Sequence, residues 1–542
     1  MSRDPARRLF MSPPPSRSTP GAWSPLRQPL YRSLWIATLA ASVGTWMREV
    51  GAGWLMVELA PTPLWVALVQ AANSLPIFLL SIPAGALADI VDRRRFLIGV
   101  QVWMLVASGL LALLAALGLV TAPVLLLFTF LLGVGAAAMM PAWAATIPEL
   151  VSREDLPAAV ALHSTGVNVA RTVGPALGGI IIAAAGPAAT FALNALSFVG
   201  VIVALVRWRR RHEASALPAE RFVGAVRAGV RYVIGAPALQ RVMLRAAVFF
   251  LFGSALWALL PLVAKGLGGP RTYGTLLACL GAGAVAGAFV LPGLRERVSR
   301  DALVRGASVL LAASMLTLGL WREFAAALAA MVGAGLSWIS ALSSFHVSAQ
   351  SVVPGWVRAR ALAIYMIAFA AAMALGSWLW GVIATHAGIG HTLAIAAAGA
   401  VAGVALTWKV SLVMGAESES LEPAAWPAPA PTVDVEAERG PVLITVDYRV
   451  RPEDREPFRG AIEALEPVRR RDGATSWTLY EDAEQPGRFV ETFLLESWGE
   501  HVRQHGRATA ADARLLAAVR AFDTRPGGPV VEHLIAVGRR AE

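Results

Sequence analysis

Two adjacent charges, Arg48 and Glu49, stand inside the apolar run Trp46-Met-Arg-Glu-Val-Gly-Ala-Gly-Trp54. If that run crosses a bilayer as a helix, each charge costs about 2.5–3.5 kcal/mol on insertion scales, so it must face a cavity or a partner. Glu49 can take up and release a proton there. Neighbours on a helix point about 100° apart, so the two cannot both address one spot; one binds while the other pairs with an adjacent helix. The alternative is a helix shifted toward its outer end, with both charges at the membrane interface. Asn168 and Arg171 precede Gly174-Pro175. Arg171 would meet an anion or Glu49, or be a structural pair for a backbone carbonyl or a carboxylate. Gln70, Asn73, Asn194 and Gln350 offer hydrogen bonds to the same cavity, and Trp54, Trp257, Trp338 and Trp378 offer flat apolar contact. Each is otherwise helix-packing glue or an interfacial anchor. Arg245 and His346 are weaker candidates of the same kind.

Other chemistries have less behind them. His501 and His505 are four apart on an expected helix, but no third metal ligand is evident, so no metal is expected. The chain has no Gly-x-x-x-x-Gly-Lys pattern, which disfavours ATP-driven work, and no cofactor is expected. The single Cys279 rules out an intrachain disulfide and reads as a small packing residue.

The elements that must position these residues are membrane helices. At 542 residues, 56% hydrophobic and only 15% charged, the chain is too apolar for a soluble domain, where about 25% charged is usual. Its net charge of +11 comes in arginine clusters between apolar runs. No basic face interleaved with aromatics appears, so nucleic acid is not the expected partner. A window of about 20 residues gives six spans: Tyr31–Leu59, Leu64–Ala88, Phe96–Val120, Val124–Ala144, Leu156–Ala185 and Ala188–Val206. A basic break from Arg207 to Ala238 follows, in which residues 221–233 suit an amphipathic helix on an anionic surface. Six more spans come after it: Leu239–Ala264, Tyr273–Leu291, Leu303–Trp321, Phe324–Phe345, Ala359–Thr385 and Thr392–Met414. Ala145-Thr-Ile-Pro148 ahead of Gly174–Gly179 is echoed by Gln350–Pro354 ahead of Gly376–Gly381, which suggests two parallel halves. One set of loops holds Arg27, Arg32, Arg93–Arg95, Arg153, Arg207–Arg211, Arg295, Arg297, Arg300, Arg358 and Arg360. The other set holds Lys265, Arg271 and Arg322. The positive-inside rule then makes both termini cytoplasmic. The composition and the lack of sorting signals suggest a bacterial inner membrane. Residues 1–30, rich in Pro, Ser and Arg, lack a signal-peptide core and read as a disordered cytoplasmic lead.

Between the second and third spans lies Gly85-Ala-Leu-Ala-Asp-Ile-Val-Asp-Arg-Arg-Arg95, a tight hairpin whose charges must sit in water or headgroups. It resembles the loop between helices 2 and 3 of the major facilitator superfamily, Gly-x-Leu-Ala-Asp-x-x-Gly-Arg. Gly85, Leu87, Ala88, Asp89 and Arg93 match; Asp92 replaces the second glycine, as in the branch resembling siderophore and drug exporters. The resemblance implies an all-α membrane protein of 12 transmembrane helices in two six-helix halves. It also implies a cytoplasmic gate in which Asp89 and Arg93 meet the start of helix 11, at Arg358 or Arg360. The second-half counterpart, Pro292-Gly-Leu-Arg-Glu-Arg297, lacks the aspartate, so the gate should be one-sided. Gly174, Pro175, Gly178 and Gly179 resemble, in part, the helix 5 bend of superfamily antiporters, where close packing limits leak.

After a proline-rich linker at 415–439, residues 440–542 read as strand, helix, strand, strand, helix, strand. The strands are expected at Pro441–Val450, Ser476–Glu481, Arg488–Ser497 and Val530–Val537, and the helices at Pro452–Arg471 and Trp498–Phe522. This α+β ferredoxin-like soluble domain resembles the dimeric α/β-barrel tails of the antibiotic-biosynthesis monooxygenase type. The chain thus divides into 1–30, a helical bundle at 31–206, a loop at 207–238, a second bundle at 239–414, the linker and the tail. The resemblance to the enterobactin-exporter-like branch implies a proton-driven exporter of a small amphipathic molecule, with protons and the lipid bilayer as its other partners. The alternatives are a bifunctional protein whose tail is a cofactor-free monooxygenase acting on the transported compound, or a regulatory or homodimerising tail on an importer.

Overall fold

The computed structural model describes residues 23–152, 154–208, 229–321, 323–354, 357–412, 435–436, 438–505 and 510–537. The N-terminal lead to residue 22, the arginines at 209–211, the amphipathic stretch to residue 228 and nearly all of the linker lie outside the described residues. So do the side chains of residues 81–90, among them Gly85 and Asp89 of the expected gate.

Among the described residues, twelve long helices occupy the expected places. The first six are α1 (Pro29–Leu59), α2 (Pro63–Ile90), α3 (Arg93–Ala116), α4 (Ala122–Leu150), α5 (Leu156–Ala185) and α6 (Pro187–Arg207). The second six are α7 (Pro237–Leu267), α8 (Pro270–Arg297), α9 (Arg300–Leu320), α10 (Phe324–Ser351), α11 (Arg358–Ala387) and α12 (Ile389–Leu406). Among the described residues, 11 helices are long and apolar enough to cross a membrane. The exception is α1, 31 residues long, whose polar content, with Arg32, Arg48 and Glu49, keeps its hydropathy below that of the others.

Local chemistry explains the boundaries. Asp92 caps α3 by accepting from the Arg95 N–H at 2.9 Å, so the aspartate that stands in the glycine's place fixes the turn out of α2. Gly186 (φ 78°) and Gly388 (φ 80°) take the same left-handed conformation between α5 and α6 and between α11 and α12. The repeat legible in the sequence thus reappears in the backbone at matching positions.

The halves meet along α2 with α11 and along α5 with α8. Two close approaches lie toward the arginine-poor end. A Cβ added to Gly274 would stand 2.6 Å from the Gly179 Cα, and one on Gly381 would stand 3.2 Å from the Leu64 Cα. Only glycine allows backbones this near. Gly178 does the same work inside the first half, where a Cβ would meet the Met47 Cα of α1 at 3.1 Å.

The tail carries a four-stranded antiparallel sheet, β1 (Val442–Arg449), β2 (Ser476–Glu481), β3 (Arg488–Leu495) and β4 (Val530–Ile535), in the order β2-β3-β1-β4. Val442, Ile444, Val446 and Tyr448 alternate inward along β1. The first expected helix, Pro452–Arg471, is in fact two, α13 (Arg455–Glu463) and α14 (Glu466–Asp472). Pro467 has no N–H to continue the ladder and sits in the first turn of the second piece. The second is likewise resolved as α15 (Trp498–His505) and α16 (Ala510–Arg520), with residues 506–509 outside the described residues. The last span ends at Leu406 rather than Met414.

Candidate functional site

The charges of α1 meet α2 through one residue. Asn73 donates from Nδ2 to Glu49 Oε1 at 3.2 Å and accepts from Arg48 Nη2 at 3.4 Å. Arg48 and Glu49 lie 3.6 Å apart, with the arginine side chain 4% and the glutamate side chain 28% exposed. The carboxamide, with one donor and one acceptor arm, gathers two side chains that helix geometry points apart. The trio is unequal: Arg48 is enclosed and Glu49 remains partly open. Arg48 Nη1 is buried without a hydrogen-bond partner.

Arg171 of α5 is close enough to feel Glu49's charge, and Tyr273 of α8 feels it from the other half. The Arg171 guanidinium stands 5.5 Å from the Trp46 ring, within cation–π range, and its Nε is also buried without a partner. From Trp46 an aromatic run crosses between the halves, to Trp257 of α7 at 6.4 Å and on to Trp338 of α10 at 5.4 Å. The Trp257 indole N–H is buried and unmatched as well. Three buried donors without acceptors beside apolar ring faces form a place where a ligand's polar groups would complete the hydrogen bonding.

Other expected residues stand elsewhere. Gln70 donates to Ser74 on its own helix at 3.4 Å. Asn168 donates to the Ser164 carbonyl at 3.0 Å and is exposed. Asn194 is packing glue, donating to Ser108 Oγ at 3.2 Å between α6 and α3. Arg245 ties α7 to Asp301 and to the Val410 carbonyl. Gly174, Pro175, Gly178 and Gly179 are buried along α5. At the arginine-rich end, Arg93 pairs with Glu149 of α4 at 2.5 Å, and Arg358 donates to the Val353 carbonyl. Arg360 lies at the start of α11 beside Gly229 of a short helical segment, 229–234. Sequence reasoning did not single out Glu149, Trp46 or Tyr273, because a carboxylate at a helix end and aromatics in an apolar run are common features.

The tail holds a second buried charge cluster. Glu491, 0% exposed, receives Arg469 in a two-pronged pair (2.9 and 3.2 Å), the Trp477 indole (3.0 Å) and the Tyr448 hydroxyl (3.2 Å). Burial works against the Arg469 charge, yet the Glu491 carboxylate more than offsets it and raises its pKa. His501 has the third histidine that the sequence did not reveal: His533 of β4 lies 4.7 Å away between ring centres, and His505 lies 4.9 Å away. Among the described residues, no group of three ligands is placed to hold a metal.

A family profile described as transmembrane secretion effector matches residues 20–541. The chain belongs to that family. It is a membrane transporter of the major facilitator type. Among curated relatives of this secretion-effector chain, the Staphyloferrin A transporter of Staphylococcus aureus is 30% identical over 165 residues, 30% of this chain and 42% of the relative. The multidrug efflux pump Tap of Mycolicibacterium fortuitum is 25% identical over 66% of this chain and 89% of its own length. The chain thus spans less than half of the first relative and most of the second. Among solved structures, a bacterial homologue of the human lysosomal transporter Spinster, inward-facing and unoccupied, superposes with a TM-score of 0.58 at 14% identity, covering 71% of this chain and 97% of that one. A peptide transporter of the POT family superposes at 0.58 with 12% identity, covering 70% and 93%. At these identities the likeness is one of fold.

Proposed function

We propose that the chain exports a small amphipathic molecule, of the kind represented by drugs and siderophores, by alternating access and in exchange for protons. The observation that carries this reading is Glu49, partly open and held to Asn73 and Arg48. Deprotonated, Glu49 keeps α1 tied to α2 through Asn73 and balances the buried Arg48 charge. Protonated, it gives up that balance, and the trio must rearrange or take an acceptor from the substrate. A proton arriving from outside would thereby bias which end is open. Close contact at the arginine-poor end fits a chain open toward the cytoplasm, with twelve spans, both termini cytoplasmic, and the Asp89–Arg93 hairpin governing closure with Arg358 and Arg360.

The efflux pump Tap, a relative, supports the direction, and the aromatic run from Trp46 to Trp338 supports an amphipathic cargo. The sheet order of the tail supports the ferredoxin-like assignment, with the domain bounds given above. A dimerising or regulatory tail is preferred to a catalytic one. The test is accumulation of dyes, antibiotics and siderophores in bacterial cells lacking their own exporters, with and without this chain and with a protonophore. Lower accumulation abolished by the protonophore is the expected result. With membrane insertion confirmed, unchanged accumulation across the panel overturns export of this substrate class.

A further inference from the structure

Two hairpins at the arginine-rich end balance their charge in different ways. The first, residues 89–95, carries three arginines and two aspartates. Asp92 caps α3 there, and Arg93 pairs with Glu149 of α4. The second, residues 295–300 between α8 and α9, carries three arginines and one glutamate. A neutral residue does the capping in this case: Ser299 Oγ accepts from the Ala302 N–H at 3.3 Å.

The second hairpin leaves its arginines short of acceptors. Arg295 donates from Nη2 to Ser343 Oγ of α10 at 2.7 Å, and its Nε is buried without a hydrogen-bond partner. Arg300, in the first turn of α9, has a buried Nη1 that is likewise unmatched, and it pairs with no carboxylate among the described residues. It stands close enough for Arg295 to feel its charge. Glu296 is exposed, and Asp301 is taken by Arg245 and the Leu412 N–H.

Two like charges held together repel, and each withdrawn N–H forgoes the hydrogen bond it would make in water. One anion with several oxygens removes both costs, because a guanidinium presents its N–H groups in a fork that fits phosphate. The Ser343 hydroxyl, which accepts from Arg295, can still donate to the same anion. Along the preceding turns of α8, Val285, Phe289, Val290 and Leu294 are all exposed, Phe289 by 83%. A bare apolar stretch that ends at paired arginines on a membrane boundary matches acyl chains lying below a headgroup.

We propose that Arg295, Arg300 and Ser343 form a site for the phosphate of an anionic phospholipid whose acyl chains lie along the exposed residues of α8. The lipid supplies to the second half the anion that Glu149 supplies to the first, and it ties the turn between α8 and α9 to α10. The site needs a bilayer around the helices and does not depend on the export reading.

The probe is radiolabelled dioleoylphosphatidylglycerol, titrated onto the full chain in detergent micelles. Dioleoylglycerol offers the same chains without the phosphate, and inorganic phosphate offers the anion without the chains. A saturable component is expected for the phospholipid, at least tenfold weaker in Arg300→Gln. The Arg300 guanidinium bonds to nothing among the described residues, so this variant keeps the fold. Arg297→Gln removes the same charge from an exposed position in the same hairpin, and should change the component by less than about twofold. Absence of a saturable component, binding undiminished by Arg300→Gln, or equal weakening by Arg297→Gln overturns the site. Inorganic phosphate that competes at the lipid's own concentration assigns the site to a free anion, and dioleoylglycerol that binds as tightly assigns it to acyl contact alone; either result overturns the lipid.

Discussion

The membrane bundle and the tail each bury an arginine beside a glutamate, and they treat the pair in opposite ways. In the tail, Glu491 is fully enclosed and receives hydrogen bonds from Arg469, Trp477 and Tyr448, so the cluster is neutral and closed. In the bundle, Glu49 has Asn73 and, at 3.6 Å, Arg48 for company, while Arg48 Nη1, Arg171 Nε and Trp257 Nε1 have no acceptor among the described residues. An unmatched buried donor costs about 1–3 kcal/mol, and the tail shows that this chain can build complete networks. The incomplete one fits the proposed role, a site finished by something that comes and goes: a proton, a substrate or both. A closed network holds its element in one place, whereas an open one leaves its elements free to adopt two arrangements.

The largest effect should come from breaking the closed network. Glu491→Gln keeps the shape but leaves the Arg469 charge buried and unpaired, which costs about 3–5 kcal/mol. Hydrogen exchange at β1 and β3 in the full chain should accelerate accordingly, with the membrane helices unaffected. Tail exchange left unchanged would mean that Glu491 is not the keystone its contacts suggest. In the open network, where Glu49 is 28% exposed, the same chemical change should cost less stability and remove function. Glu49→Gln is expected to lower substrate-driven pH change in proteoliposomes by ~100-fold, the scale of a lost proton-transfer group, while the variant still inserts and stays folded. Coupling that survives would reduce Glu49 to a structural partner of Arg48. Arg171→Gln should act more selectively. It is expected to raise the KM of anionic substrates by about tenfold, a loss of ~1.4 kcal/mol, and to leave neutral ones alone. Equal effects on both would make the arginine a packing partner of Trp46.

The sequence carried the fold well, because membrane spans are long-range averages. Twenty apolar residues between arginine clusters announce a helix whatever its exact ends, and the glycines of α5 announce close packing. The same averaging missed Pro467's break in the tail helix, which depends on a single absent N–H. The site was half legible. Arg48, Glu49, Asn73 and Arg171 stood out as polar residues in apolar runs, and the structure brings them together. Gln70 and Asn168 stood out equally, yet they bond within their own helices, because rotation about a helix axis is not written in a run that is apolar all round. Trp46 and Tyr273 were silent for the opposite reason: an aromatic in an apolar run carries no contrast. His533 lies 28 positions beyond His505, and only strand pairing brings it to the pair.

His501 refines the comparison, because it is an open group inside the otherwise closed tail. Burial, helped by the neighbouring His505 and His533, pushes its pKa down from 6.5 to about 3. The folded tail therefore holds it neutral, while the unfolded chain protonates it near its ordinary value. The unfolded state binds more protons between those limits, so stability from this group is complete above about pH 6.5 and is lost as pH falls toward 3. At pH 5.5 the loss from this residue should be about 1 kcal/mol, growing by up to ~1.4 kcal/mol for each further unit. His501→Phe fills similar volume without titrating. Exchange of the β1 amides in the full chain should then depend less steeply on pH, after correction for the intrinsic exchange rate, than in the unaltered protein. Identical pH profiles would mean that acid acts on the tail through its carboxylates, and that the imidazole is open to water. A flattened profile would make His501 the group through which acid reaches the tail's core.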